Sequence, residues 1–568
     1  MSQVSAPKSL SIVLGGEAGQ GIQTIEELLT KILKLDGYHV YATKEYMSRV
    51  RGGTNTTSIR VASGPVQAPV RRIDLLVPLD DKVIPHLQSR ISEGTIIVGD
   101  NDVLKSDLNI LHIPLNQLAK DLGGAIYANT VALGLILGLL QADEQVAENY
   151  LRTRFISKGE DIVANNIRAS HLGYEKGHAL RKGGKVVFPE ITKSDIRDEI
   201  MVNGTEAIAM GAIAGGCRCV TSYPMTPGTG VITFMAKHSH EFELLVEQAE
   251  DEIAAINMAL GAWYAGARAM VTTSGGGFAL MTEGISLAGM LEMPVVVHLA
   301  QRPGPATGLP TRTEQGDLEL ALYAGHGAFP RIILAPESPQ EAFYLSQKAF
   351  NLTDKYQVPV IILTDQYLVD TYYNTEAFDL SRLKIEQHIV ETPEDYRRYL
   401  LTENPISPRG IPGKGTGLVG VDSDEHDEAG HITEDLDLRV RMVDKRLKKL
   451  ASLETDSIPP KRIGPQESKT LVISWGSTNP IVREAIQNLE RSDLAQIAIQ
   501  QVFPVPAGLR QHLEQAERTI IVENNATSQM GNLILRETGR KIDHAILKYD
   551  GLSFTVEEVM HSITDIVG

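Results

Sequence analysis

Residues 11–33 read SIVLGGEAGQGIQTIEELLTKIL, and this stretch decides the fold class. Ser11–Leu14 is a strand-like apolar run, and Gly15–Gly21 carries four glycines. Ile25, Leu28, Leu29, Ile32 and Leu33 then recur at helical spacing. A strand passing through a glycine-rich turn into an amphipathic helix is the opening unit of an α/β fold. The turn also suits an anion: glycines let backbone N–H groups approach a phosphate, and the helix N-terminus adds partial positive charge. Gly16, Gly19 and Gly21 are the candidate contacts. A tight turn with close helix packing explains them equally well, because the spacing is not GxGxxG. Downstream, Arg49-Val50-Arg51-Gly52-Gly53 adds two arginines at a flexible turn, facing a phosphate, another subunit or solvent.

The alternation continues along the chain. Ile73–Val77 and Thr95–Val98 read as strands, and Val131–Leu140 as a core helix too short to span a bilayer. Arg181–Ile196, with Gly183, Gly184 and Pro189, reads as a linker. Val271–Thr273, Val295–Leu299, Ile332–Ala335 and Val360–Thr364 are further strands. From 381 to 465 the chain is charged, and Asn404–Glu434 lacks periodicity, as an extended functional loop or inter-domain wrap does. Helix-like Leu436–Leu450 follows, then strands Thr470–Ser474, Ile497–Gln501 and Thr519–Glu523. With 568 residues and about 150 per domain, the expected architecture is three α/β domains at 1–190, 198–380 and 466–568, with 381–465 as a connecting arm.

Charge and cysteine content exclude several roles. Lys+Arg number 54 against 71 Asp+Glu, a net charge of −17, which disfavours nucleic acid or an anionic membrane as partner. The two cysteines, Cys217 and Cys219, stand one residue apart and cannot hold a disulfide framework or a cysteine-ligated iron–sulfur cluster. They read as small buried residues of a strand. The polar start of the chain lacks a signal-peptide pattern, so a cytoplasmic location is expected.

Chemistry concentrates between 223 and 311. In Tyr223-Pro224-Met225-Thr226-Pro227-Gly228, two prolines preset the backbone around Thr226 at a strand end. A rigid turn without chemistry has the same pattern. Glu247, Glu250, Asp251 and Glu252 precede an apolar helix, Ile253–Ala262, and acids suit a first helical turn. Only Glu252 adjoins the stretch expected to be buried; a carboxyl there is desolvated, its pKa rises, and it donates a hydrogen bond. Ser274-Gly275-Gly276-Gly277 is another strand-end turn. Arg302 follows the apolar strand Val295–Leu299, placed to grip a carboxylate or to lie on the surface of a Pro/Gly loop. Asp422–His431 (DSDEHDEAGH) has metal-ligand residue types but reads as a solvated acidic loop, and no metal is assigned to the chain.

Taken in order, YPMTPGTG, EDEIAAINMALGAWYAGARAMVTTSGGGFALMTEG, HLAQRPGPATGLPTRTEQGDLELALYAGHG and VPVIILTDQYL resemble the α subunit of 2-oxoacid:ferredoxin oxidoreductases. GGEAGQGI and RVRGGTNTTSIRV resemble the γ domain of the same enzymes, here fused in front of α. FPVP and VENNATSQMGNL resemble the α subunit's transketolase-type C-terminal domain. The resemblance implies a γ-type domain, a pyrimidine-binding domain for thiamine diphosphate and a transketolase C-terminal-like domain. Met225, Gly228-Thr229, Gly276 and Ala306 stand where the family usually has Ile, Ser-Ser, Pro and Ser.

By resemblance, Glu252 is the catalytic carboxyl, bonded to the aminopyrimidine of thiamine diphosphate, with Tyr223 in the same cofactor-binding segment. Thr226 contacts the reacting substrate, Arg302 pairs with its carboxylate, and Thr311 helps select its side chain. Coenzyme A is the acyl acceptor, approaching through the γ domain. No Gly-Asp-Gly occurs, and Gly99-Asp100-Asn101 fails at the third position. A β subunit is therefore expected to bring the diphosphate site, magnesium and a four-iron–four-sulfur cluster. The implied assembly is a dimer of α–β heterodimers that reduces ferredoxin, with 2-oxoglutarate as substrate. Alternatives are pyruvate, branched-chain or broad 2-oxoacid enzymes. From other classes come a non-redox thiamine diphosphate transferase, a silent scaffold subunit, or a dinucleotide-binding dehydrogenase. The last lacks a ribose-binding acid after the second strand.

Overall fold

In the computed structural model, which describes residues 8–48 and 53–568, the chain forms two units. Arg49 and Arg51 lie outside the described residues.

The first unit runs to Val202 and takes in Thr371–Ala377 and Thr555–Glu558. Its eight-stranded sheet has the order Ile110–His112, Ile96–Gly99, Leu75–Pro78, Ser9–Glu17, Thr54–Ala62, His39–Glu45, Tyr372–Thr375, Ile200–Asn203. Ser9–Glu17 pairs parallel with Leu75–Pro78 and antiparallel with Thr54–Ala62. The first strand is therefore longer than its apolar run suggests: Gly15, Gly16 and Glu17 are laddered against Thr56, Asn55 and Thr54. Only Ala18–Gly21 remains as the turn into helix Ile22–Leu35, whose Ile25, Leu29, Ile32 and Leu33 are fully buried. Ala128–Leu140 is buried along most of its length, as its uniform apolarity requires.

The second unit comprises Asn203–Asp370, Phe378–Phe554 and Val559–Gly568, and it holds two sheets. The seven-stranded sheet has the order Gln501–Phe503, Ile332–Leu334, Pro359–Asp365, Val295–Gln301, Ala269–Thr273, Cys219–Ser222, Leu245–Gln248. All its pairs are parallel except the one made by Gln501–Phe503. Its central strands are buried on both faces, which is why they read as continuous apolar runs. The five-stranded sheet orders Lys461–Ile463, Leu494–Ile499, Thr470–Trp475, Arg518–Glu523 and His544–Leu547. The run read as one strand, Ile497–Gln501, is divided between the two sheets: Leu494–Ile499 stays in the smaller, and Gln501 begins the strand joining the larger.

Residues 383–435 form no helix or strand beyond isolated bridges, yet they are anchored by charge. Asp354, fully buried, takes Arg409 Nη2 at 2.6 Å and Arg268 Nη2 at 2.9 Å. The Arg409 guanidinium lies 5.5 Å from the Trp263 ring centroid. Helix Leu436–Thr455 is tied down by Lys449 and Lys445, both paired with buried Glu292. Removing one member of a buried charge set strands the others in low dielectric, at about 3–5 kcal/mol. Asp354→Ala is thus expected to release the arm, read as new proteolytic cleavage within 384–432 and a lowered urea midpoint. An unchanged digestion pattern counts against this anchoring.

The acidic stretch 422–431 is spent on structure. Glu425 pairs with Arg446 and Arg439, and Asp427 Oδ1 accepts from the Ala429 and His431 amides at 2.9 and 3.0 Å. Among the described residues, no group of three or more His, Cys, Asp or Glu is placed to hold a metal ion, and no helix is long and apolar enough to cross a membrane.

Candidate active site

In a parallel sheet all carboxyl ends lie on one edge, and ligands bind there. Leu245–Gln248, Cys219–Ser222, Ala269–Thr273 and Val295–Gln301 are consecutive neighbours. The segments leaving their ends carry Glu252, Tyr223–Gly228, Ser274–Gly277 and Arg302.

Glu252 is the first residue of helix Glu252–Tyr264, capped by Asp251, whose carboxylate accepts from the Ala254 amide at 2.7 Å. The residue is 2% exposed, and its Oε1 is buried without a hydrogen-bond partner. Burial raises its pKa, with the Asp251 charge acting in the same direction. The helix is not buried all round: Ile253 and Met258 are 47% and 43% exposed, while Ala255, Ile256, Ala259, Leu260 and Trp263 face the core. Of the four acids before the helix, Glu247 lies in strand Leu245–Gln248 and is exposed, as is Glu250, so Glu252 alone is a buried first-turn acid.

Three glycines gather the site. A Cβ on Gly277 would lie 2.4 Å from Glu252 Oε1 and 2.3 Å from Thr273 Oγ1, so only glycine lets the chain pass over the carboxyl. A Cβ on Gly276 would meet Ala306 O at 3.7 Å and Met225 Sδ at 3.8 Å. Met225, Gly276 and Ala306 therefore adjoin one another, with ordinary contact room for a Cβ between them. A Cβ on Gly275 would lie 2.4 Å from Asp317 Oδ2.

The structure joins Thr226 to Arg302 directly: Arg302 Nη1 donates to the Thr226 carbonyl at 2.6 Å. Arg302 Nε is buried without a partner. Desolvation lowers the Arg302 pKa, and Asp317 acts against it. Both Thr226 and Thr311 are half-buried, and Tyr223 is 40% exposed. Behind the turn, fully buried His298 hydrogen-bonds Thr364 Oγ1 through Nε2 and Thr272 Oγ1 through Nδ1, each at 2.8 Å. Thr272 Oγ1 also lies 3.0 Å from the Gly228 carbonyl, so His298 ties the Tyr223–Gly228 segment to the neighbouring strands. Burial holds this ring neutral, its pKa pushed down to about 3. His298 and Asp317 escaped sequence reading: one is a single polar residue within an apolar strand, the other an acid in a polar loop.

Gly16, Gly19 and Gly21 belong to the first unit. Gly16 lies within the strand rather than the turn, while Gly19 and Gly21 have φ of 96° and 79°. The turn borders a cavity of about 330 Å³ lined by Gln20, Asp100, Asn116 and Asn129, and Asn129 Nδ2 donates to the Gln20 carbonyl at 2.9 Å. No lysine or arginine is among the described lining residues of that cavity. Cys217 and Cys219 are free and buried, and burial pushes the Cys217 thiol up to about 12.

A buried carboxyl with an orphan oxygen, roofed by a glycine, fits a cofactor ring nitrogen that accepts a proton. Residues 210–445 match the family described as pyruvate flavodoxin/ferredoxin oxidoreductase, thiamine diphosphate-binding, and residues 11–176 match pyruvate ferredoxin/flavodoxin oxidoreductase. The 2-oxoacid:ferredoxin oxidoreductase subunit alpha of Sulfolobus sp is 31% identical over 98% of this chain and 97% of its own. The 2-oxoglutarate oxidoreductase subunit KorA of Mycobacterium tuberculosis is 26% identical over 97% and 90%. The solved 2-oxoglutarate:ferredoxin oxidoreductase from Magnetococcus marinus, with 2-oxoglutarate, coenzyme A and succinyl-CoA bound, superposes with a TM-score of 0.93. It is 31% identical and covers 99% of this chain and 100% of that one. With its strand-end site and its end-to-end likeness to these subunits, the chain belongs to the 2-oxoacid:ferredoxin oxidoreductases, as an alpha subunit of a multisubunit enzyme.

Proposed function

We propose that the chain serves an enzyme that oxidatively decarboxylates 2-oxoglutarate with coenzyme A, giving an acyl-CoA and carbon dioxide and passing the electrons to ferredoxin. The observation that carries this reading is the buried Glu252 carboxyl with its unpartnered Oε1. Bound thiamine diphosphate supplies the nucleophile and the electron sink for decarboxylation. Glu252, its carboxyl kept protonated by burial, would hold the cofactor by a hydrogen bond to its pyrimidine nitrogen, and Tyr223 lines the same segment. Arg302 pairs with a substrate carboxylate, Thr226 faces the substrate oxygen, and Thr311 lies along its side chain. Asp251, through its cap on the helix, aims Glu252.

A partner β subunit is inferred to bring the diphosphate and magnesium site and the four-iron–four-sulfur cluster. The lack of Gly-Asp-Gly and the count of two cysteines support it. We assign coenzyme A to the γ-type part through Gly19 and Gly21, and we place the assembly, a dimer of α–β heterodimers, in the cytoplasm. The division at 1–190, 198–380, 381–465 and 466–568 is supported in its number of α/β domains by the three sheets, but not in its bounds: Ile200–Asn203 and Tyr372–Thr375 join the first sheet, Lys461–Ile463 the five-stranded one and Gln501–Phe503 the seven-stranded one. The 31% likeness to subunits named for 2-oxoacids at large favours broad 2-oxoacid use as the second reading. The test is 2-oxoacid- and CoA-dependent dye reduction by the chain assembled with its β partner, over 2-oxoglutarate, pyruvate and branched-chain 2-oxoacids. A kcat/KM highest for 2-oxoglutarate is expected. Preference for pyruvate overturns the substrate assignment, and inactivity with every 2-oxoacid overturns the function.

A further inference from the structure

Asp317 precedes the short helix Leu318–Tyr323 and presses its carboxylate on Gly275, where a Cβ would lie 2.4 and 2.5 Å from its two oxygens. Its amide donates to Gln301 Oε1 at 2.9 Å, and Gln301 Nε2 donates to the Thr364 carbonyl at 3.0 Å. Asp317 is thereby clamped to the end of the strand that leads into Arg302. Its Oδ2 is buried without a partner, as are Ser274 Oγ and Arg302 Nε. The charged groups that act on it are Glu314 from its own loop and Arg302, which follows Gln301 at the strand end. The Ser274–Gly277 segment presents a hydroxyl and glycine backbone. From helix Gln529–Thr538 comes the neutral Gln529, which donates to the Gly316 carbonyl at 2.9 Å and accepts from the Glu319 amide at 3.0 Å.

We propose that Asp317 sets the charge of the carboxylate subsite, taking a proton from solvent when an anionic 2-oxoacid pairs with Arg302 and returning it when the subsite empties. Two anions beside one guanidinium in a desolvated site do not both stay ionised without cost. Burial and Glu314 already push the Asp317 carboxyl up to about 7, with Arg302 pulling down, so the exchange falls near neutrality. The proposal rests on the reading of Arg302 as the carboxylate partner.

The sign follows from linkage. Below about pH 7 the proton is already in place and substrate affinity is flat; above it, each binding event must take up a proton and KM rises. The test is KM for 2-oxoglutarate (or pyruvate, should the panel rank it first) from pH 6 to 8, for the assembled wild type, Asp317→Asn and Arg302→Ala. The wild-type KM is expected to rise about tenfold over that range. Asp317→Asn should stay flat and have a KM about tenfold below wild type at pH 8. A merely structural role for Asp317 does not improve binding. An Asp317→Asn profile that follows wild type, while Arg302→Ala raises KM, overturns this proposal and leaves the Arg302 reading standing. An unchanged KM in Arg302→Ala overturns that reading and the proposal with it. Should Asp317→Asn not assemble, Asp317→Ser gives the same readout.

Discussion

Glu252→Gln, assembled with its partner, is expected to lose about 10³-fold in kcat for 2-oxoacid-dependent dye reduction, within the range for a removed proton-transfer group. The glutamine keeps the volume and the polar end, so the start of helix Gly275–Leu280 still closes over it. What it loses is the exchangeable proton. A carboxyl whose pKa is raised by burial holds that proton and gives it up reversibly, whereas an amide donates a hydrogen bond and goes no further. Because the orphan Oε1 is the feature at stake, KM for the 2-oxoacid should change far less than kcat. Turnover near the wild-type level would remove Glu252 from the chemistry.

Arg302→Ala is expected to raise KM about 10- to 100-fold, with a smaller effect on kcat. A hydrogen bond to a charged group contributes about 1.5–3 kcal/mol, and about 1.4 kcal/mol is tenfold in affinity. In this geometry the guanidinium has one task filled and one donor spare: Nη1 holds the Thr226 carbonyl at 2.6 Å, and Nε is buried without a partner. Arg302→Lys should recover only part of the loss, since a point charge cannot hold the turn and a carboxylate at once as the planar fork does. An unchanged KM in both variants would count against Arg302 as the carboxylate partner.

Much of the candidate site was legible in the residues. Glu252 stood out because an acid beside an apolar helix is either wasted or used, and Arg302 because it ends an apolar strand. Boundaries were less legible. Gly15 and Gly16 read as turn, yet Thr54–Ala62 pairs with the first strand residue by residue to Glu17, a partner supplied from nearly forty positions away. The run at Ile497–Gln501 read as one strand because periodicity does not tell which sheet will take each half. Asp317 looked like any loop acid: its value lies in Gly275 and Arg302, each remote in sequence.

The sequence by itself determined the α/β alternation, the glycine and proline turns at strand ends, and the residue types available for proton transfer and carboxylate binding. These are local properties of spacing, backbone restriction and side-chain chemistry. The tertiary structure alone decided that Leu245–Gln248, Cys219–Ser222, Ala269–Thr273 and Val295–Gln301 lie side by side, so that Glu252, Thr226, Gly275–Gly277, Arg302 and Asp317 meet at one sheet edge. Parallel strands are joined by long crossovers rather than tight turns, so their order follows from packing over the whole unit. Burial, which leaves Glu252 Oε1 and Asp317 Oδ2 without partners and raises their affinity for protons, exists only once that packing is complete.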